Sequence, residues 1–230
     1  MENETLPKHI GIIMDGNRRW AKNNDLPTLE GHAEGERTLS DIVDHCKKRD
    51  IKVLTVFAFS TENWKRTPDE VKYLLDLFSK LIHDRAERLI QEKVKVQFIG
   101  DLSGFSPILR KEMLDLMEQT KDHTVLTFNL AVNYGGRAEI LNAIRRIDEE
   151  GIDMNTLTEE VFSNYLYTAG LPDPDLVIRT SGEQRLSNFL TWQSVYSELY
   201  FIDIHWPDFT PEELDKAIEA YSLRQRRFGK

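Results

Sequence analysis

The amino-acid sequence predicts an α/β fold in which one mostly parallel central β-sheet is surrounded by helices. Three observations carry that expectation. Apolar runs of strand length alternate with amphipathic stretches of helical period along the chain. No internal repeat, low-complexity segment or Gly/Ser linker divides it. A length of 230 residues with 40% hydrophobic content is enough to bury one full core, so the reading is a single domain over residues 1–230.

In chain order, strands are expected at residues 9–14, 52–59, 94–99, 125–132 and 175–179, with a last one near 199–204. Helices are expected at 34–49, 68–91, 107–121, 137–149 and 211–225. The longest is the best defined. Val71, Leu74, Leu75, Phe78, Leu81, Ile82, Leu89 and Ile90 recur at helical spacing, and Pro68 suits its first turn. Its apolar stripe is wide, and ordinary core packing is the reading favoured over ligand lining. The strongest breaker cluster, Gly170 to Asp175, leads directly into a strand rather than into a new composition.

Bulk properties narrow the function classes. The single cysteine, Cys46, excludes an intrachain disulfide, and its neighbours offer no metal-ligand spacing. Met1-Glu2-Asn3-Glu4-Thr5 is acidic where a signal peptide would be basic, and no apolar stretch approaches the ~18 residues that span a bilayer. A cytoplasmic chain, at most peripheral at the membrane, is the expectation. A net charge of −9 argues against a nucleic-acid surface, yet Arg18, Arg19, Arg66, Arg179 and Arg185 crowd short segments. That asymmetry points to a local pocket for a compact anion.

Three stretches carry chemistry. Asp15-Gly16-Asn17-Arg18-Arg19 follows the first expected strand and opens a helix, the place where open α/β sheets bind ligands. Gly16 lets backbone approach an anion, and Arg18 and Arg19 add forked hydrogen bonds to phosphate oxygens. An acid among such groups is repulsive to phosphate unless a cation lies between, so Asp15 makes sense as a Mg²⁺ ligand. The same tripeptide also makes ordinary turns and helix caps. A phosphatase of the haloacid-dehalogenase type would want a second aspartate at Asn17, which this chain lacks.

The second stretch, Ser60-Thr61-Glu62-Asn63-Trp64-Lys65-Arg66, follows another expected strand and belongs at the same sheet edge. Ser60 and Asn63 suit a diphosphate or a catalytic water, Arg66 suits phosphate, and Trp64 offers an apolar face to a hydrocarbon. A helix N-cap with a buried tryptophan is the plain alternative. In the third, Arg179, Arg185 and Ser187 converge from a strand end and a Gly-containing loop as a second anion site. Glu198 lies in an aromatic, apolar context that demands a partner, an arginine or a metal, and position alone favours the arginine.

Together with Gly31-His32 and Gly35, Gly100-Asp101, Asn133-Tyr134-Gly135-Gly136-Arg137 and Trp206-Pro207-Asp208-Phe209, these stretches closely resemble the cis-prenyltransferase (undecaprenyl diphosphate synthase) family nearly end to end. The resemblance implies a sheet with helices around a hydrophobic tunnel, a homodimer, and sequential condensation of isopentenyl diphosphate onto an allylic diphosphate, farnesyl diphosphate by expectation. It assigns Mg²⁺ to Asp15 and Glu198, reversing the arginine preference for Glu198. It assigns catalysis to Asp15 and Asn63, the latter in proton removal. The allylic diphosphate falls to Gly16, Asn17, Arg18, Arg19, Trp20 and His32. Further substrate contacts fall to Ser60, Thr61, Glu62, Trp64 and Arg66, and isopentenyl diphosphate falls to Arg179, Arg185, Leu186 and Ser187. Arg227-Phe228-Gly229 resembles a C-terminal motif that reaches a neighbouring subunit's site.

The chain has no Asp-Asp pair, which the trans-type synthases use to hold metal. It departs from the family pattern at Thr28, where many bacterial members have arginine, at Arg18, where several have glycine, and at Gln184, where histidine is common. Small Ala58 and the position of Leu126 at the implied tunnel's far end lead to an expected medium to long product. Transient membrane contact through the tunnel mouth follows from such a product.

Overall fold

The computed structural model describes residues 6–224, and the Arg227-Phe228-Gly229 motif lies outside that range. Six parallel strands form one sheet in the order β3-β4-β2-β1-β5-β6: β1 His9–Ile13, β2 Val53–Ser60, β3 Val94–Ile99, β4 Leu126–Tyr134, β5 Leu176–Arg179 and β6 Glu198–Phe201. All five residues of β1 are buried, as a strand with neighbours on both sides and helices or loops on both faces requires. From β1 the chain winds first toward β3 and later returns to β5 on the other side. The switch point, where such sheets bind ligands, therefore lies at the carboxyl ends of β1 and β5.

The described helices are α1 Asn17–Asn23, α2 Thr28–Lys48, α3 Pro68–Gln91, α4 Pro107–Thr120, α5 Gly136–Glu149, α6 Glu159–Ser163 and α7 Pro211–Ser222. Three of them start alike. Thr67, Ser106 and Thr210 each cap a helix whose next residue is proline, and their hydroxyls accept from Glu70, Leu109 and Glu213 N–H. Each such cap stabilises its helix by about 1 kcal/mol, and proline at the first position loses no hydrogen bond. Against the sequence reading, α2 begins six residues before position 34, and α6 had no helical signal because it is barely longer than one turn.

One face of the sheet packs Ile10, Ile12, Leu54, Val56 and Phe128 against Leu39, Ile42, Val43 and Cys46 of α2 and Leu214 and Ile218 of α7. Cys46 is fully buried, which pushes its thiol up to about 12, so it is an inert core residue. The other face carries Ile13, Val177, Tyr134, Phe189 and Leu190. Near its carboxyl end β2 slips register against β4 between Phe57 and Phe59, leaving Ala58 outside the paired ladder. Among the described residues no helix is long and apolar enough to cross a membrane.

Candidate functional site

Asp15 follows β1 at the switch point. Its Oδ1 lies 3.0 Å from Arg19 Nη2 and its Oδ2 2.8 Å from Arg179 Nη2. Partial burial is the largest single influence on this carboxyl and raises its pKa, but hydrogen bonds and charge from Arg179 and Arg19 together outweigh it. The net shift is downward, and Asp15 is held ionised. Gly16, which precedes α1, has φ 112°, and a Cβ there would meet Ser181 Oγ at 2.1 Å, so glycine is required twice over. Gly31 and Gly35 on α2 let α1 cross closely: a Cβ at either would strike Asn17, at 2.1 and 2.4 Å.

A cleft of about 670 Å³ opens at this edge, lined by Asp15, Gly16, Asn17, Arg18, Arg19, His32 and Arg66. The first and second sequence stretches thus share one pocket. Lys22 and Thr28 also line it, so a lysine not singled out by sequence supplies a further cation to the cleft. A second group missed by sequence is Glu70, whose Oε1 lies 2.9 Å from Arg66 Nη1, 3.8 Å from His32 Nε2 and 3.9 Å from Arg18 Nε. The Arg66–Glu70 spacing of i,i+4 across a helix start was the available signal. Burial, then the charges of Arg66 and Arg18, depress His32 to about 4 against the opposing pull of Glu70, so it is neutral near pH 7.

Arg179 is only 5% exposed. It donates through Nη1 to Arg185 O and Ser187 Oγ, both at 2.6 Å, which fixes the following loop to the end of β5. Ser187, Asn188 and Leu190 in that loop hold positive φ, 48°, 68° and 44°, a conformation such residues keep only when surroundings enforce it. The enforcement is visible. Asn188 O and Oδ1 accept from Gly136 N at 2.7 Å and Arg137 N at 2.9 Å, and Asn188 Nδ2 reaches Glu62 Oε1 at 3.3 Å. The Asn133 to Arg137 motif is therefore a latch for the second arginine loop. Leu186 packs against the Ile13 and Tyr134 side of the sheet.

Three buried polar atoms at the site have no hydrogen-bond partner: Asn17 Oδ1, His32 Nε2 and Arg179 Nε. Buried groups left so are uncommon, and these three are open to a ligand, an ion or water at the cleft.

Behind the cleft lies an apolar cavity of about 100 Å³ between α2, α3 and the sheet. Met14, Asn17 and His32 line both spaces and form their junction. Leu74, Leu75, Phe78 and Leu81 of α3 line this cavity, while only Ile82 and Leu89 of the helix are fully in the core. The core-packing reading of the α3 stripe holds for Ile82, Leu89 and Ile90, whereas Leu74, Leu75, Phe78 and Leu81, half of the eight, also line the cavity. Ala58, displaced by the slip in β2, lines it too.

Several expected positions differ. Asn63 Oδ1 accepts from Ser60 N at 2.9 Å in a capping box over the 3-10 turn Thr61–Lys65, the cap of the plain alternative for that stretch, but the tryptophan which that alternative buried, Trp64, is exposed. Trp64 does not line the cavity. Its indole donates to Asn133 Oδ1 at 2.7 Å and stands edge-on to Phe59, which does line it along with Phe105. Trp20 turns from the cleft to donate to Asp208 Oδ1 at 2.8 Å, being rotated on α1 from Arg19 and Lys22. Thr61 lies against Gly135, under the loop latch.

Glu198 is not brought to Asp15 within this chain. It starts β6 in register with Leu176 and hence Ile10, so Asp15 lies five residues further along the sheet, roughly 16 Å at the strand rise. Its Oε2 takes Arg224 Nη1 at 2.8 Å, the arginine pairing that position alone favoured. Among the described residues no cluster of three or more His, Cys, Asp or Glu could hold a metal. Asp15 alone still fits Mg²⁺, because that ion is commonly held by one or two carboxylates with substrate phosphates and water supplying the rest.

Comparison with known proteins agrees with this geometry. The prenyltransferase family model described for undecaprenyl diphosphate synthase matches residues 13–229. An isoprenyl transferase of Clostridium perfringens is 51% identical over 230 residues, covering 98% of this chain and 91% of that protein. A (2E,6E)-farnesyl-diphosphate-specific ditrans,polycis-undecaprenyl-diphosphate synthase of Micrococcus luteus is 47% identical over 97% of this chain and 92% of its own. The crystal structure of lavandulyl diphosphate synthase from Lavandula x intermedia, in complex with dimethylallyl diphosphate, superposes with TM-score 0.94 at 33% identity, covering 99% and 100% of the two chains.

Proposed function

The chain belongs to the undecaprenyl diphosphate synthase family of isoprenyl transferases, and from that membership we propose that it adds isopentenyl diphosphate units in Z configuration to an allylic diphosphate. Farnesyl diphosphate is the proposed starter, and a medium- to long-chain polyprenyl diphosphate the product. The observation that carries this reading is the junction of a cation-lined cleft with an apolar cavity at Met14, Asn17 and His32. One molecule with a diphosphate head and a hydrocarbon tail fits both. The Micrococcus luteus relative supports the farnesyl starter, and the lavender structure supports an allylic diphosphate in this fold.

In the reaction the allylic C–O bond breaks and its electron pair leaves with diphosphate. The terminal double bond of isopentenyl diphosphate attacks the resulting cation, and loss of a proton completes the new bond and double bond. Arg18, Arg19, Lys22, Arg66 and neutral His32 cradle the departing diphosphate, where fixed donors stabilise charge without reorganising. Arg179, Arg185 and Ser187 hold the second diphosphate across Asp15, and the latched loop keeps the two substrates in attack geometry. Asn63 steers the proton that leaves. Asp15 would hold Mg²⁺, and the ion when bound would supply Lewis-acid stabilisation of the leaving group. Arg19 and Arg179 keep Asp15 ionised until that ion arrives.

The homodimer proposal draws on β6 as an edge strand among the described residues and on the exposed apolar side chains of Leu141, Ile144, Val195 and Tyr196. Transient membrane contact for product release draws on exposed Ile108 and Leu114 of α4. Incubation with radiolabelled isopentenyl diphosphate, farnesyl diphosphate and Mg²⁺ tests the main proposal. A ladder of extended products that EDTA abolishes is expected, and starter recovered unchanged would refute it.

A further inference from the structure

Two cavities lie end to end between α2 and α3. The first is the apolar space behind the cleft; the second, of about 40 Å³, is lined by Val43, Leu89 and Phe128 and also by Ser40, Asp44, Arg85, Arg88 and Glu92. Glu36, Leu39 and Leu81 line both. Strand β4 gives the direction: Val132 and Leu130 line the first cavity, Phe128 the second, and Leu126, two residues earlier on the same face, is buried beyond them. From His32 at the mouth to Leu39 at the junction is seven residues of α2, roughly 10 Å at the helical rise. A hydrocarbon growing from the cleft therefore meets the junction before it can reach the second space.

An ion pair stands at that junction. Arg85 of α3 donates through Nε and Nη2 to Glu36 Oε1 of α2, at 3.3 and 3.2 Å, with side-chain exposures of 35% and 21%. Burial of each further methylene favours advance, whereas covering these charged heads strips them of water. The pair is solvated enough to be weakly held, so it opposes passage without sealing it. We infer that the Glu36–Arg85 pair is a specificity-determining gate that hinders passage of the growing chain and so weights the product distribution toward shorter lengths. This rests on the chain-elongation reading.

The test uses the full chain with farnesyl diphosphate, labelled isopentenyl diphosphate and Mg²⁺, with products resolved by length. E36Q/R85M removes both charges at nearly constant shape, and E36A/R85A also opens space. Both are expected to shift the product distribution upward by at least one isoprene unit with the first condensation as fast as wild type. The swap E36R/R85E is expected to restore the wild-type distribution. If a double variant melts below the assay temperature, E36Q alone serves, with the same expected direction. Wild-type lengths from folded neutral variants would overturn the inference, as would a swap that behaves like them. Failure of the elongation reading looks different: wild type itself would extend nothing.

Discussion

The charged cleft at Asp15 and the apolar cavity behind it share a mouth but are held open by different means. In the cleft, side chains are fixed by one another: Asp15 is gripped by Arg19 and Arg179, Arg179 also binds Arg185 O and Ser187 Oγ, and Asn188 ties that loop to α5. The cavity's α3 wall is held by packing, although Glu36 and Trp206, which also line the cavity, are hydrogen-bonded. That wall is made of Leu74, Leu75, Phe78 and Leu81, which are only partly buried although Phe78 still meets Phe98 of β3, whereas Ile82 and Leu89 are in the core. A polar site is built by satisfying partners, and an apolar one by declining to fill space. Substitutions in the cleft should therefore change rate and affinity, and those in the cavity should change which products form.

The sharpest way to break that division is Asp15→Ala. Turnover is expected to fall by several orders of magnitude while farnesyl diphosphate still binds and the chain still folds, since Mg²⁺ attachment and ordering of both arginines go together. Retained turnover in a steady-state assay would remove Asp15 from the chemistry.

His32, at the shared mouth, gives the next largest effect, in stability. Its folded pKa of about 4 lies below the ordinary 6.5, so the unfolded chain takes up the proton first. Stability is then full above about pH 6.5 and is lost as pH falls toward 4, by up to roughly 3 kcal/mol from this group. Urea unfolding at pH 7.5 and 4.5 should show a smaller loss in His32→Gln than in wild type. Equal losses would contradict the burial argument.

Arg179→Lys keeps the charge but not the fork that reaches Asp15, Ser187 and Arg185 together. KM for isopentenyl diphosphate is expected to rise by roughly one to two orders of magnitude with farnesyl diphosphate affinity little changed. An equal effect on both substrates would merge the two anion sites into one. The smallest effect on rate belongs to Leu126→Ala, which is expected to change product lengths while leaving the first condensation alone. Unchanged lengths would end the channel at or before Phe128.

The same contrast explains what the sequence made legible. The six strands stood out because buried parallel strands read as apolar runs, and the loops after β1, β2 and β5 announced themselves by arginine, glycine and asparagine at strand ends. The cavity did not stand out, because the residues that line an open channel and those that fill a core have the same composition; only the placement of α3 separates Phe78 from Ile82. Residues 28–33 of α2 were missed because Gly31 reads as a breaker, whereas it is the contact point for Asn17. Glu70 and Lys22 were missed as ordinary helix-surface charges. Glu198 shows a further limit. Its position alone favoured an arginine and only the resemblance gave it a metal, and strand polarity puts a residue that opens β6 at the sheet edge opposite to one that follows β1.

The proposal that cleft and cavity are one site for the two ends of one substrate can be read from a crystal structure with Mg²⁺ and a non-hydrolysable farnesyl diphosphate analogue. The diphosphate is expected among Arg18, Arg19, His32 and Arg66, the ion on Asp15, and the hydrocarbon passing Met14 to lie against Ala58 and Phe78. A hydrocarbon lying elsewhere, with the space between α2 and α3 still empty, would contradict it.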